Sequence, residues 1–201
     1  MINWSNPPRS LVYEIKDLGG SDRKFKLFAC STIRHMWKHL DERVKLYLDV
    51  AEREADGLAS EKEVNILKEK ASRAKWTDYN SSILENARRD AEWLFKRSSF
   101  DAACETTYGV NRVPDEIQIE LLKDIFGNIE DAVELDFKGM PKFIKEFALD
   151  IYTKRDFQSL PILADALEEN GCVCQKLLDH LRSGGYHVRG CWGLDVILEK
   201  K

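Results

Sequence analysis

The chain has 201 residues, of which 43% are apolar, 10% aromatic and 33% charged, and a balance of this kind excludes wholesale disorder. Its net charge of −4 gives no overall electrostatic case for binding nucleic acid or an anionic membrane. No apolar run approaches the roughly 18 residues needed to cross a bilayer, MINWSNPPRS lacks a signal-peptide core, and five cysteines without framework spacing read as reduced thiols, so a cytoplasmic location is expected.

Eleven glycines and five prolines leave long stretches of residues that lose least on entering a helix. The predicted fold is all-α, a multi-helix bundle of antiparallel helices that can divide into two helical subdomains. Asn6-Pro7-Pro8 predicts a short first helix ending at Gly19-Gly20. Ser21 caps a second, drawn as far as Leu40, with Phe25, Ala29, Ile33, Met36, Trp37 and Leu40 on one stripe. Asp41 opens a third with Val44, Tyr47, Leu48, Ala51 and Ala55 inward, and Gly57 closes it. Ser60 and Glu63 have capping-box spacing ahead of Val64, Leu67, Ala71 and Ala74.

Leu84, Ala87, Ala91, Leu94 and Phe95 mark the next helix. After Tyr108-Gly109, Pro114 heads another with Ile117, Leu121, Leu122 and Ile125 inward, stopped by Gly127-Asn128. Residues 129–139 show no clear period and form the expected linker between an N-terminal subdomain, 1–128, and a C-terminal one, 140–201. Pro141, Pro161, Gly171, Gly184 and Gly185 bracket three more helices, and a last apolar one spans Cys191 to Leu198. No internal repeat is visible.

Charge is uneven. Residues 21–40 carry Arg23, Lys24, Lys26, Arg34 and Lys38 against Asp22 alone, a net +4, whereas 114–170 carry 14 acids against six bases. The two regions are therefore expected to face each other.

Three groups of residues could carry chemistry. His35 and His39 stand one helical turn apart but lack the glutamate of zinc peptidases, so they read as boundary histidines. Cys172, Cys174, His180, His187 and Cys191 crowd into twenty residues of the type that zinc selects; their spacing fits no paired-ligand pattern, and core packing is the favoured reading over a tetrahedral metal site.

The stretch from Arg182 to Trp192 joins adjacent glycines, cations and a helix start, a combination that can cradle an anion through Arg182, Gly184, Gly185, His187 and Arg189. A helix C-cap with Arg182 and Arg189 paired to the preceding acidic helices accounts for it as well, and is favoured because no phosphate-loop pattern is present. Asp195 lies in an almost wholly apolar helix and must find a buried partner, for which Arg189 and His187 are the nearest candidates. Cys104 has no nearby histidine, and Trp4, Trp37, Trp76, Trp93 and Trp192 are scattered; all read as packing residues.

Ser21-Asp22-Arg23-Lys24, Leu27-Phe28-Ala29-Cys30, Ala55-Asp56-Gly57-Leu58-Ala59, Asp124-Ile125-Phe126-Gly127-Asn128 and the run from Leu160 to Glu169 form one set of motifs with Gly171-Cys172 and His187-Val188-Arg189-Gly190-Cys191-Trp192. By these motifs the chain resembles a family of uncharacterised helical proteins abundant in planctomycete-type bacteria. The resemblance implies a bacterial cytosolic origin and a helical fold, and transfers no active site. The chain departs from the family pattern at Ile129-Glu130-Asp131, where a prolyl and basic continuation is usual.

With no constellation of nucleophile, base and orienting group, the expected function is a non-enzymatic helical module that binds a protein partner, without cofactor or resident metal. The rivals are a small anion receptor or enzyme using the Arg182–Trp192 loop, and weak nucleic-acid contact through Arg23, Lys24, Arg34 and Lys38.

Overall fold

The computed structural model describes residues 2–73, 83–107, 113–127, 129–130, 133 and 140–200, and every regular element among them is helical. Pro8 opens α1 (Pro8–Asp17), since its missing N–H lies where no helical partner exists, and Gly19 closes it at φ 86°. The Ser21 hydroxyl accepts from the Lys24 amide and starts α2 (Asp22–Arg34), which buries every residue from Leu27 to Ile33. Burial on so wide an arc makes α2 the central rod. Asp41 caps α3 (Glu42–Ala55) by accepting from the Val44 amide at 2.9 Å. Ser60 and Glu63 close a reciprocal box at the start of α4 (Glu61–Arg73), the Ser60 amide donating to Glu63 at 3.0 Å and the Glu63 amide to Ser60 at 3.3 Å.

The remaining helices are α5 (Ile83–Lys96), α6 (Ser99–Thr106), α7 (Asp115–Phe126), α8 (Lys142–Lys154), α9 (Leu160–Glu169), α10 (Gln175–Arg182) and α11 (Trp192–Ile197). Around α2 lie α3, α5, α6 and α7; α1 packs on α6 and α7, and α4 on α3 and α5. One cluster joins α2, α3, α4 and α5, and a second joins α1, α2, α6 and α7 around Phe25, Phe28, Leu122 and Phe126. A third uses only residues beyond Met140, drawing Ile144, Ile151, Leu163, Leu177, Leu181, Trp192 and Leu194 from α8 to α11. At about 1.5–3 kcal/mol per fully buried large apolar side chain, this cluster is a substantial core of its own. Of the expected linker 129–139, Ile129 packs against the N-terminal cluster and Val133 against the C-terminal one.

The second helix is shorter than its apolar stripe suggests. It ends at Arg34, and Met36, Trp37 and Leu40 belong to a 3-10 turn over Trp37–His39. Ser31 and Thr32 bond back to the carbonyls of Leu27 (2.8 Å) and Phe28 (3.0 Å), a geometry that competes with and bends the helical ladder just before the break. The helix α6 was not anticipated; Ser98 caps it through the Asp101 amide. Ala74, Trp76, the Leu84 side chain, Tyr108, Gly109, Asn128 and Gly139 lie outside what the structure describes.

Among the described residues the cations of α2 form no ion pair with the acids of the stretch 114–170, although Arg23 and Lys24 touch that stretch at the Tyr152 hydroxyl and the Ile125 carbonyl. Arg23 binds Asp56 and Asp195, Lys26 binds Glu54, and Arg34 binds Asp49 and Glu52, so the partners come from the α3 region and α11. Lys24 donates to the Ile125 carbonyl at 2.7 Å. Only Lys38 of the expected basic face stands exposed without a recorded partner, which removes most of the surface a phosphate backbone would use. No described helix is long and apolar enough to cross a membrane.

Candidate metal centre

Four side chains from separate places in the chain converge where α7 meets the C-terminal helices. Asp124 lies on the buried face of α7 among Leu121, Leu122, Ile125 and Phe126. His180 occupies the last turn of α10, His187 the irregular stretch after it, and Cys191 the residue that starts α11. Gly190 turns the chain into that start at φ 90°; a side chain there would press on Leu27 at 3.0 Å, so both its conformation and its closeness require glycine.

Each of the four residues contributes one donor atom, and all four atoms lie within 4.8 Å of one another. Asp124 Oδ1 is 2.7 Å from His187 Nδ1 and 3.3 Å from His180 Nε2, while Cys191 Sγ is 3.1 Å from His180 Nε2 and 3.8 Å from His187 Nδ1. Bond lengths of about 2.0–2.3 Å to a tetrahedral zinc place neighbouring donors roughly 3.3–3.6 Å apart, so these separations bracket what one ion would need. Asp124 and Cys191 are buried, and His180 keeps 15% of its side chain exposed.

The surroundings aim each donor. The Val188 amide donates to Asp124 Oδ2 at 2.9 Å, leaving Oδ1 for the centre. His187 Nε2 donates to the Ser183 carbonyl at 3.2 Å, which puts the neutral ring's lone pair on Nδ1. His180 stacks on Trp192 at 4.4 Å, and Gly193 leaves room for it, since a Cβ at 193 would sit 2.9 Å from His180 Cδ2.

Burial and mutual hydrogen bonds compete in setting the electrostatics of the cluster. Burial pushes the Asp124 carboxyl up, but hydrogen bonds from His180 and His187 outweigh it and hold the acid below its ordinary range. Burial pulls His187 down, yet Asp124 prevails and raises it. Burial, reinforced by the Asp124 charge, drives the Cys191 thiol well above its ordinary value, although the Leu194 and Gly193 amides facing the sulfur pull the other way. Such a thiol is no free nucleophile, because attack needs the thiolate. A cation that displaces its proton turns the same sulfur into a ligand.

The structure therefore brings together three of the five cysteine and histidine candidates, His180, His187 and Cys191, and adds Asp124. Cys172 is buried in the C-terminal core and Cys174 sits half-buried at the start of α10. A local signal for Asp124 did exist: an acid one turn from Leu121 and beside Ile125 on an apolar helix face must be matched by something buried.

The anion candidates do not form one cradle. Arg182 is held by Asp165 and Glu168, each at 2.6 Å, as in the C-cap reading. Gly184 and Gly185 are exposed, His187 is turned to Asp124, and Arg189 reaches the Thr153 carbonyl at 3.4 Å above the Tyr152 ring. Asp195 pairs with neither Arg189 nor His187; Arg23 meets it with two hydrogen bonds of 2.7 and 2.8 Å. His35 and His39 are exposed and belong to no cluster of ligand atoms among the described residues. Cys104 is buried, and burial raises its thiol. No family model, no curated protein and no solved structure matches the chain.

Proposed function

We propose that this chain is a metal-binding helical protein whose Asp124, His180, His187 and Cys191 hold one zinc-class divalent ion in a closed, four-coordinate site. The observation that carries the reading is the convergence of four donors of three chemical types, drawn from 68 residues of chain, on a single point. Zinc is favoured because thiolate, imidazole and carboxylate in a tetrahedral set suit its lack of geometric preference. Four protein donors fill the tetrahedron and leave no position for water or substrate, so the role is structural rather than hydrolytic. A structural site is compatible with the expected interaction module, since it leaves exterior apolar side chains such as Phe143 and Leu149 on α8 and Ile162 on α9 for partner contact.

Elemental analysis of protein purified without chelator is expected to find about one zinc per chain. Cobalt(II) exchanged into the site is expected to show the intense visible bands of a tetrahedral ion together with thiolate charge transfer. Cys191→Ser should abolish the charge-transfer band. Protein that carries no metal and takes up no cobalt would remove the reading.

A further inference from the structure

The metal site bridges the two parts of the molecule. Asp124 belongs to α7 and the N-terminal clusters, whereas the other three donors lie within a twelve-residue stretch, 180–191. Residues 183–189 have little else to order them, whereas His180 lies in α10 and Cys191 is fixed in the C-terminal core. Residues 183–190 lack a helical ladder, and the backbone bonds they share in are those from the Ser183 amide to His180 and from the Cys191 amide to Val188. The helix that follows, α11, is short but anchored in the C-terminal core by Trp192, Leu194 and Ile197, and so marks the far end of the weakly held stretch. Segments with so few internal bonds open locally well before the whole protein unfolds.

What the stretch covers is specific. Gly190 lies against Leu27 and Ile125, and Asp195 of α11 closes onto Arg23, whose guanidinium also meets Asp56 and Tyr152. Lys24 lies 3.8 Å from Asp195, and Lys200 lies 3.4 Å from Asp56. Lifting residues 183–190 would uncover an apolar strip, Leu27 and Ile125, beside Lys24, while Asp195 stays closed onto Arg23.

Resting on the metal reading above, we propose that ion occupancy is a latch: with the ion bound, residues 183–190 are clamped through Asp124 onto α2 and α7, and on its loss this segment releases and bares Leu27 and Ile125 beside Lys24. The regulatory signal is the free concentration of a zinc-class ion. An ion that binds only the closed form suppresses opening by the factor one plus its concentration over Kd, about a thousandfold at a thousand times Kd. His180, the donor with the most exposed side chain, is the edge through which the ion enters and leaves.

Hydrogen exchange followed by mass spectrometry on the full chain tests this, comparing zinc-loaded protein with protein treated with a chelator and dialysed. The amides of Val188 and Cys191, both bonded in the closed state, are expected to exchange on the order of a hundredfold faster or more without the ion, while those of Asp195 and Leu198 at α11 keep their protection. Amides of α3 should keep their rates and so report any global unfolding. Asp124→Asn, exchanged in the presence of zinc, should match the chelated wild type in the segment while α3 stays protected.

Cobalt bands with unchanged exchange at Val188 and Cys191 would overturn the latch and leave the metal reading standing. Absence of cobalt binding would overturn both. Loss of protection in α3 together with the segment would also overturn the latch, because the ion would then hold the whole fold rather than one segment.

Discussion

At the scale of single residues the site depends on space as much as on donors. Gly193 follows Trp192 in α11, and a methyl group there would meet His180 Cδ2 at 2.9 Å, Leu181 Cδ2 at 3.0 Å and Leu177 Cδ1 at 3.2 Å. The two leucines are fixed in the C-terminal core, so the imidazole is the group that must give way. Gly193→Ala is therefore expected to lower stability by about 1–3 kcal/mol through overpacking, and to weaken metal binding roughly 10–100-fold by turning His180 away from Cys191. Chelator competition and urea denaturation measure the two effects; unchanged affinity in the variant would show that His180 is not a ligand. His180, His187 and Cys191 were conspicuous in the sequence because they lie close together. Asp124 was not, because its nearest fellow ligand, His180, stands 56 positions away and is brought to it by the packing of α7 against the C-terminal helices, and no local spacing encodes that. Asp195 shows the same limit: its burial was legible from its apolar neighbours, but its partner Arg23 stands 172 positions away.

At the scale of elements, what was legible is what each helix does with its own ends. Asp41, Gly57 and the Ser60–Glu63 box act where the residue pattern places them, because a cap satisfies orphan donors within one turn and needs no tertiary contact. The overrun of α2 has an equally local cause: Met36, Trp37 and Leu40 keep helical spacing, but they reach the core from a 3-10 turn, with Trp37 beneath the Arg34 guanidinium at 4.0 Å. The box at α4 provides a pH test. Hydrogen bonds from Arg53, then from the Ser60 amide and hydroxyl, hold the Glu63 carboxyl down to about 2. A depressed acid contributes stability that is present above its unfolded value, near 4.5, and is lost as the pH falls towards 2. An NMR titration is expected to find the Glu63 midpoint well below those of unpaired glutamates, and Arg53→Ala should move it back towards the ordinary value. A normal midpoint in the wild type would mean that the box does not persist in solution.

At the scale of the whole molecule, the sequence suggested two helical units, and the core does contain a cluster built only from residues beyond Met140. That cluster meets the rest through apolar contact of α11 with α7 and through charge. Arg23 is the hub: its guanidinium binds Asp195 twice, Asp56 at 3.0 Å and the Tyr152 hydroxyl at 3.0 Å, while the side chains of Asp56 and Asp195 are 0% and 3% exposed. Burial disfavours the charge on Arg23, but the hydrogen bond and charge of Asp195 outweigh it and raise its pKa further, so this cation holds its proton at any accessible pH. Removing it strands two buried carboxylates. Arg23→Met is accordingly expected to destabilise the protein by about 3–5 kcal/mol, measured by urea denaturation, which at this chain length lowers Tm by roughly 6–20 °C. Adding Asp195→Leu to Arg23→Met should recover part of that loss, because an apolar pair does not carry the desolvation of an unmatched ion; Lys200 remains 3.4 Å from Asp56 and limits the damage there. Additive losses in the double variant would show that Arg23 and Asp195 act independently, and the charged seam would then not be what joins α2 to α11.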